Sequence, residues 1–392
     1  MNQRLLGLDV LRFIAVMLVL LAHGEDPPSS WPDPLRLTYL TLRQGGWVGV
    51  DLFFVLSGFL VSGLLFREYK SYGRIAVGKF YARRAWKIYP PFYVFTAITV
   101  ALDIIKGREV WNRQLASELL FVQNYFPGRI GYTWSLAVEE HFYLLLPLSF
   151  LLISRLNRKS SEPLKPVLAL VVFVAFACLL MRLLNWYLSP TFTNLTHVTP
   201  SHLRFDSLFW GVGISYVYHF YTNWFVVCLT PWRAWLIAAG ILTLLPAFLL
   251  PIETTPVIFT LGFTIFYVGS GALLCGILLC KIPSSPLVLM AATLGSYSYS
   301  IYLWHLSGKW WGIGIVEKFY PSIGFGVRTI IYVLGAFVVG ITMAKVVEMP
   351  ALRIRDRWFP SRVDGLNGGR VPPTAVVSEN HKKDQSDMPH GV

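Results

Sequence analysis

The stretch Gly49-Val50-Asp51-Leu52-Phe53-Phe54-Val55-Leu56-Ser57-Gly58-Phe59 decides the class of fold. It sits in an apolar run over 47–66, and about 20 mostly apolar residues are what one helix needs to cross a bilayer. A packing role accounts for Gly49, Ser57 and Gly58, whose small side chains let a second helix approach closely. It does not account for Asp51. A carboxylate in such a run requires a cation or a hydrogen-bond donor from elsewhere in the bundle.

Comparable runs recur near 5–24, 88–105, 134–153, 166–186, 204–221, 233–250, 256–280, 287–306 and 326–347. The expected fold is therefore all-α: a polytopic membrane protein with about ten transmembrane helices. Composition agrees. Only 14% of the 392 residues are charged, against about 25% in soluble domains, and the mean hydropathy is +0.54. Tryptophan and tyrosine, 14 and 19 residues, suit the two membrane interfaces. A net charge of +13 would suggest nucleic acid in a soluble chain. Here the basic residues fall in short segments between apolar runs, so lipid is the expected partner and nucleic acid is not.

Asp9 and Arg12 interrupt the first run and no A-x-A site follows it, so it reads as a retained helix and not a cleaved signal. The richest basic segments hold Arg67 to Lys87, Arg155 to Lys165, and Arg353 to Arg357. With ten spans all three fall on one side, which places both termini in the cytoplasm. The segment with Lys106, Arg108, Arg113 and Arg129 is the exception. Residues 1–358 form the expected transmembrane domain. Residues 359–392, rich in Gly, Pro, Ser and charge, are expected to be a disordered cytoplasmic tail. The four cysteines lack metal-ligand or C-x-x-C spacing and read as small buried side chains.

Several polar groups stand out against this apolar background. Arg12 and His23 are 11 residues apart, about three turns and roughly 16 Å along one helix face. Histidine accepts a proton near neutral pH, as acyl transfer to an alcohol requires. An interfacial histidine beside a structural ion pair is the competing reading. The segment Phe80 to Pro90 carries Arg83, Arg84 and Lys87, a cation cluster suited to phosphates of coenzyme A or of lipid headgroups, or simply to cytoplasmic anchoring. Trp134 opens a run containing Glu139, Glu140 and His141. One glutamate is expected to pair with Arg12 and the other to orient His23, with the assignment open. Arg204 and Asp206, Glu348, and the stripe Ser298, Tyr302 and His305 are further polar groups of substrate-binding or structural kind.

Six of these blocks in this order resemble acyltransferase family 3 of the membrane-bound O-acyltransferases. They are the R-x10-H pair Arg12 and His23, Gly49 to Phe59, Trp134 to Tyr143, Arg204 to Gly211, Ser298 to His305, and Glu348-x-Pro350. The similarity covers about residues 5–355. It implies transfer of an acyl group, acetyl foremost, from acyl-CoA on the cytoplasmic side to a carbohydrate or glycan hydroxyl, in a bacterial plasma membrane. The family's R-x-x-R motif falls on Arg84 and Lys87; lysine keeps the charge but loses the bidentate fork. His141 stands where the family more often has glutamine. The chain ends too soon for the fused SGNH domain of some members, so direct transfer, or hand-over to a separate periplasmic partner, is expected. On this reading His23, Arg12, Glu139 and Glu140 are catalytic, Arg83, Arg84 and Lys87 bind the donor, and no metal takes part. Asp51, Ser57, Trp134, Arg204, Asp206, Tyr302, His305 and Glu348 are substrate-binding or structural. The alternative is a transporter whose polar stripes line a solute path; the inverted repeats common in that class are not evident.

Overall fold

A computed structural model describes residues 3–360. Beyond its first two residues, the expected tail over 359–392 lies outside the described residues. Among the described residues every regular element is helical. The principal helices are α1 (Gln3–Ala22), α2 (Gly49–Tyr72), α3 (Val77–Ile105), α4 (Arg113–Leu119), α5 (Trp134–Leu156), α6 (Val167–Leu188) and α7 (Phe205–Phe220). They continue with α8 (Arg233–Leu249), α9 (Phe263–Leu279), α10 (Pro286–Ser296), α11 (Ser298–Trp304), α12 (Phe325–Met343) and α13 (Met349–Trp358).

Seven helical stretches among the described residues are long and apolar enough to cross a membrane: Asp33–Tyr72, Val77–Ile105, Gly131–Leu156, Val167–Leu188, Thr222–Leu249, Ile258–Leu279 and Phe325–Trp358. They overlap seven of the expected runs and make this a multi-pass membrane protein. The other three expected runs are helical as well. The run over 5–24 is the continuous 20-residue helix α1. The run over 204–221 is helical for only 16 residues, about 24 Å at 1.5 Å per residue, short of the roughly 30 Å hydrocarbon core. The run over 287–306 is broken at Tyr297 into α10 and α11.

Helix α2 ends where the chain turns on Gly73, whose φ of 64° is left-handed and whose N–H bonds the Tyr69 carbonyl at 2.8 Å. Only glycine takes that conformation without strain. Along its length α2 packs against α7, and the contact is backbone to backbone. A Cβ on Gly58 would run into the Leu208 carbonyl, and one on Gly211 into the Val55 carbonyl. The close approach expected from the small residues of α2 is therefore present. Around this crossing lies a core that includes Phe54, Phe59, Phe66, Phe142 and Phe150, each no more than 1% exposed. The polar side chains discussed below are held against it.

Candidate active site

The polar residues collect at different depths of the bundle. The first cluster forms where the C-terminal ends of α1 and α11 meet the turn before α5. His23 follows α1, His305 follows α11, and their rings lie 4.8 Å apart edge to face. Tyr132 closes the group, 6.1 Å from the His23 ring and 4.5 Å from that of His305. His23 Nδ1 bonds the Val19 carbonyl at 2.9 Å, and His305 Nδ1 bonds the Tyr302 carbonyl at 2.6 Å. A carbonyl oxygen only accepts, so both Nδ1 atoms carry hydrogen and both Nε2 atoms carry the lone pair. That is the protonation state a general base needs.

Tyr132 and Tyr302 fix the floor of this cluster. Tyr132 donates to the Leu303 carbonyl at 2.7 Å, and Tyr302 donates to the Tyr132 carbonyl at the same distance. Ser135 shares a 2.6 Å hydrogen bond with Tyr302. Above it, Lys309 reaches the His23 carbonyl at 3.4 Å and pairs with Glu25 at 2.9 Å. Glu25 also meets Arg328, which in turn pairs with Glu317.

The second cluster lies toward the opposite end of α1. Arg12 pairs with Asp9 at 2.8 Å on its own helix. This differs from the expectation that a glutamate of α5 would take Arg12 and the other orient His23. Glu139 accepts from Ser57 and Tyr143, and Glu140 accepts from Tyr89 at 3.1 Å. One turn of α2 thus presents Ser57 to Tyr143, 2.5 Å apart, and through it to Glu139. The three-turn separation of Arg12 from His23 makes one shared site impossible without movement.

Arg84 and Lys87 belong to this second cluster. The Arg84 guanidinium lies 5.3 Å from the Tyr143 ring centre and within electrostatic reach of both glutamates. Lys87 faces Glu348, with Arg12, Arg84 and Arg355 nearby. Glu348 in turn accepts from Ser300 at 2.6 Å. Arg83 points elsewhere: it pairs with Asp356 at 3.1 Å and bonds the Phe359 carbonyl, so it fastens α3 to the end of α13.

Asp51, Arg204 and Asp206 form a third group, completed by Arg182. Arg204 pairs with Asp51 at 2.6 Å and Arg182 with Asp206 at 2.7 Å, all four no more than 1% exposed. Arg182 also donates to the Leu203 carbonyl and to Thr264. The Arg204 guanidinium lies 3.8 Å from the Phe263 ring centre and near Trp134 and Phe54. The cation that Asp51 required is thus Arg204, and the group joins α2, α6, α7 and α9. Arg182 was overlooked in the sequence. Its signal was the same as that of Asp51: a lone charge inside an apolar run.

Outside the candidate spans, the short helix α4 carries Glu118, which is 1% exposed. It accepts from the Ile130 N–H at 3.0 Å and from Thr133 at 3.1 Å. Burial pushes its carboxyl up to about 7. It braces the turn that presents Tyr132 to the two histidines. His141 bonds Ser201 at 2.7 Å and lies apart from His23.

Comparison with known proteins adds to this picture. The profile of an acyltransferase domain matches residues 5–346. The peptidoglycan O-acetyltransferase OatA of Listeria monocytogenes is 24% identical over 388 residues, covering 92% of this chain and 57% of the relative. The O-acetyltransferase OatA of Staphylococcus aureus is 30% identical over 158 residues, covering 36% of this chain and 24% of the relative. The alignments thus reach little more than half of one relative and a quarter of the other. No solved structure matches. A profile that runs through nearly the whole helical bundle, from α1 to the end of α12, shows that this chain belongs to the acyltransferase family its motifs resemble.

Proposed function

We propose that this protein is a bacterial membrane O-acyltransferase. It takes an acyl group, acetyl foremost, from acyl-CoA and passes it to a hydroxyl of a carbohydrate or glycan acceptor. The observation that carries the reading is His23: its Nδ1–H is held by the Val19 carbonyl, which leaves Nε2 as a base at the end of α1. An alcohol is a poor nucleophile until its proton is accepted as it attacks. A positioned imidazole contributes about 10²- to 10⁴-fold to such a step.

In this scheme Nε2 of His23 takes the hydroxyl proton, the hydroxyl oxygen bonds the acyl carbon, and the thiolate leaves with the electron pair of the broken C–S bond. Arg84 and Lys87, at the depth of Arg12, bind the donor's phosphates. The OatA relatives, named as O-acetyltransferases and one of them as acting on peptidoglycan, favour acetyl as the group and a cell-wall glycan as the acceptor. The basic segments that follow α2 and α5 favour a cytoplasmic donor side and an extracytoplasmic His23.

The test is His23→Gln in cells, with mass spectrometry of surface glycans. Glutamine keeps size and hydrogen bonding but cannot take the proton. Acylation is expected to vanish while the protein still inserts and accumulates. Acylation near the parental rate would place the base elsewhere.

A further inference from the structure

Acyl transfer at His23 requires the acceptor to be held while its hydroxyl meets the imidazole. Beyond His305 the chain enters a π-helical turn, Gly308–Ile313. Such widened turns are uncommon and recur at functional sites. Close packing fixes this one: a Cβ on Gly308 would run into the Tyr332 carbonyl and the Gly335 backbone of α12. With the turn pressed onto α12, its two adjacent tryptophans diverge. Trp311 lies 5.9 Å from the ring of the buried Trp304. Trp310 is 44% exposed, yet its ring is 6.4 Å from that of Tyr132, which stands against both histidines. Part of the indole is thus covered by Tyr132 and the rest is open. The level is wet: the preceding residue, Lys309, pairs with Glu25, and Arg328 meets both Glu25 and Glu317. A network of partly exposed charges is untenable against lipid tails.

We propose that Trp310 is the stacking platform for a pyranose ring of the acceptor, holding that ring beside the His23 cluster and selecting sugars with an open C–H face. This rests on His23 being the general base. A pyranose whose hydroxyls are mostly equatorial is polar at its rim and apolar on its flat faces. Indole matches such a face with a large, rigid surface that loses little conformational freedom on binding. A stacked ring turns its rim hydroxyls sideways, toward the histidines that Tyr132 adjoins. Lys309 also reaches the His23 carbonyl at 3.4 Å, which ties the platform's own turn to the end of α1. The charges here are matched, Lys309 and Arg328 against Glu25 and Glu317. Recognition therefore falls to the ring face, and the class of acceptor that fits is a neutral sugar.

The test compares Trp310 variants of the full-length protein by two readouts: acylation of surface glycans in cells, by mass spectrometry, and thiol release from acetyl-CoA in isolated membranes, where water is the acceptor. Loss of the platform penalises a sugar and not water. Trp310→Ala should therefore cut glycan acylation about 30-fold more than it cuts thiol release, the loss typical of truncating a central aromatic contact. Trp310→Phe keeps a flat face and should hold glycan acylation within about fivefold of the parent. Trp310→Leu fills space beside Tyr132 without a face and should behave like alanine. Parental glycan acylation by Trp310→Ala would leave Trp310 an interface anchor only. A parallel fall in both readouts, or leucine as good as phenylalanine, would make it packing for Tyr132. Either result overturns the proposal. His23→Gln membranes that release thiol as fast as the parent's would refute the general-base reading separately.

Discussion

Replacing Arg204 by methionine removes the cation that faces Asp51 at the centre of the bundle. Asp51 is 0% exposed, and its remaining hydrogen-bond partner is the Ser207 hydroxyl at 3.4 Å, with Arg182 and Asp206 within electrostatic reach. Breaking a buried ion pair by removing one partner costs about 3–5 kcal/mol, because the other charge is left uncompensated. The guanidinium also lies against the Phe263 ring, a contact worth on the order of 1–2 kcal/mol when desolvated; methionine fills the space but not the charge. The expected loss for Arg204→Met is therefore about 4 kcal/mol. Asp51→Asn in the Arg204→Met background removes the stranded charge and should return roughly 2 kcal/mol of it, a coupling well outside additivity. The assay is unfolding in mixed micelles titrated with SDS, followed by tryptophan fluorescence, on the parent, both single variants and the double variant. A loss under 1 kcal/mol for Arg204→Met, or a double variant no more stable than the worse single one, would refute the idea that this pair locks α2 to α7.

Glu118 offers a pH-dependent counterpart. Its carboxyl is raised to about 7 from an ordinary 4.5, so between those values the folded protein keeps a proton that the unfolded chain releases. Stability from this site is fully present below pH 4.5 and is lost as pH rises toward 7, on the order of 3 kcal/mol in all. The parent's melting midpoint should fall relative to that of Glu118→Gln across this range; a constant difference would be against it. At the donor site, Lys87→Ala should raise the apparent KM for acetyl-CoA about 10- to 100-fold, the worth of a charged hydrogen bond, while Lys87→Arg preserves or lowers it. Equal values in all three would leave Lys87 an anchor. For topology, reporters fused after α13 should be active only as cytoplasmic enzymes, and activity only of a periplasmic reporter would mean the number of crossings is odd.

The sequence by itself determined the solvent. Runs such as 47–66 and 166–186 carry too few charges for a water-facing helix, and hydropathy depends on composition alone. It also marked the charges that had to be explained. Asp51, Arg12 and Glu139 were each conspicuous because an isolated charge in an apolar run is costly wherever the helix packs. Motif order was legible for the same reason: it needs no partner to be seen. The number of crossings was only partly legible, since a hydropathy window does not register that α7 stops at Phe220 or that the chain breaks at Tyr297.

Which charges meet was decided by the tertiary structure. Nothing in the local pattern says that Asp51 takes Arg204, 153 positions away, and not Arg12. That choice follows from the backbone contact at Gly58 and Gly211, which sets α2 against α7. Likewise His305 is an ordinary polar position in its own segment. It becomes the neighbour of His23 only because α11 ends where α1 ends, with Tyr132 wedged beside them both. Periodicity shows which residues share a face of one helix, whereas the depth and rotation at which two helices meet are set by the packing of the whole bundle.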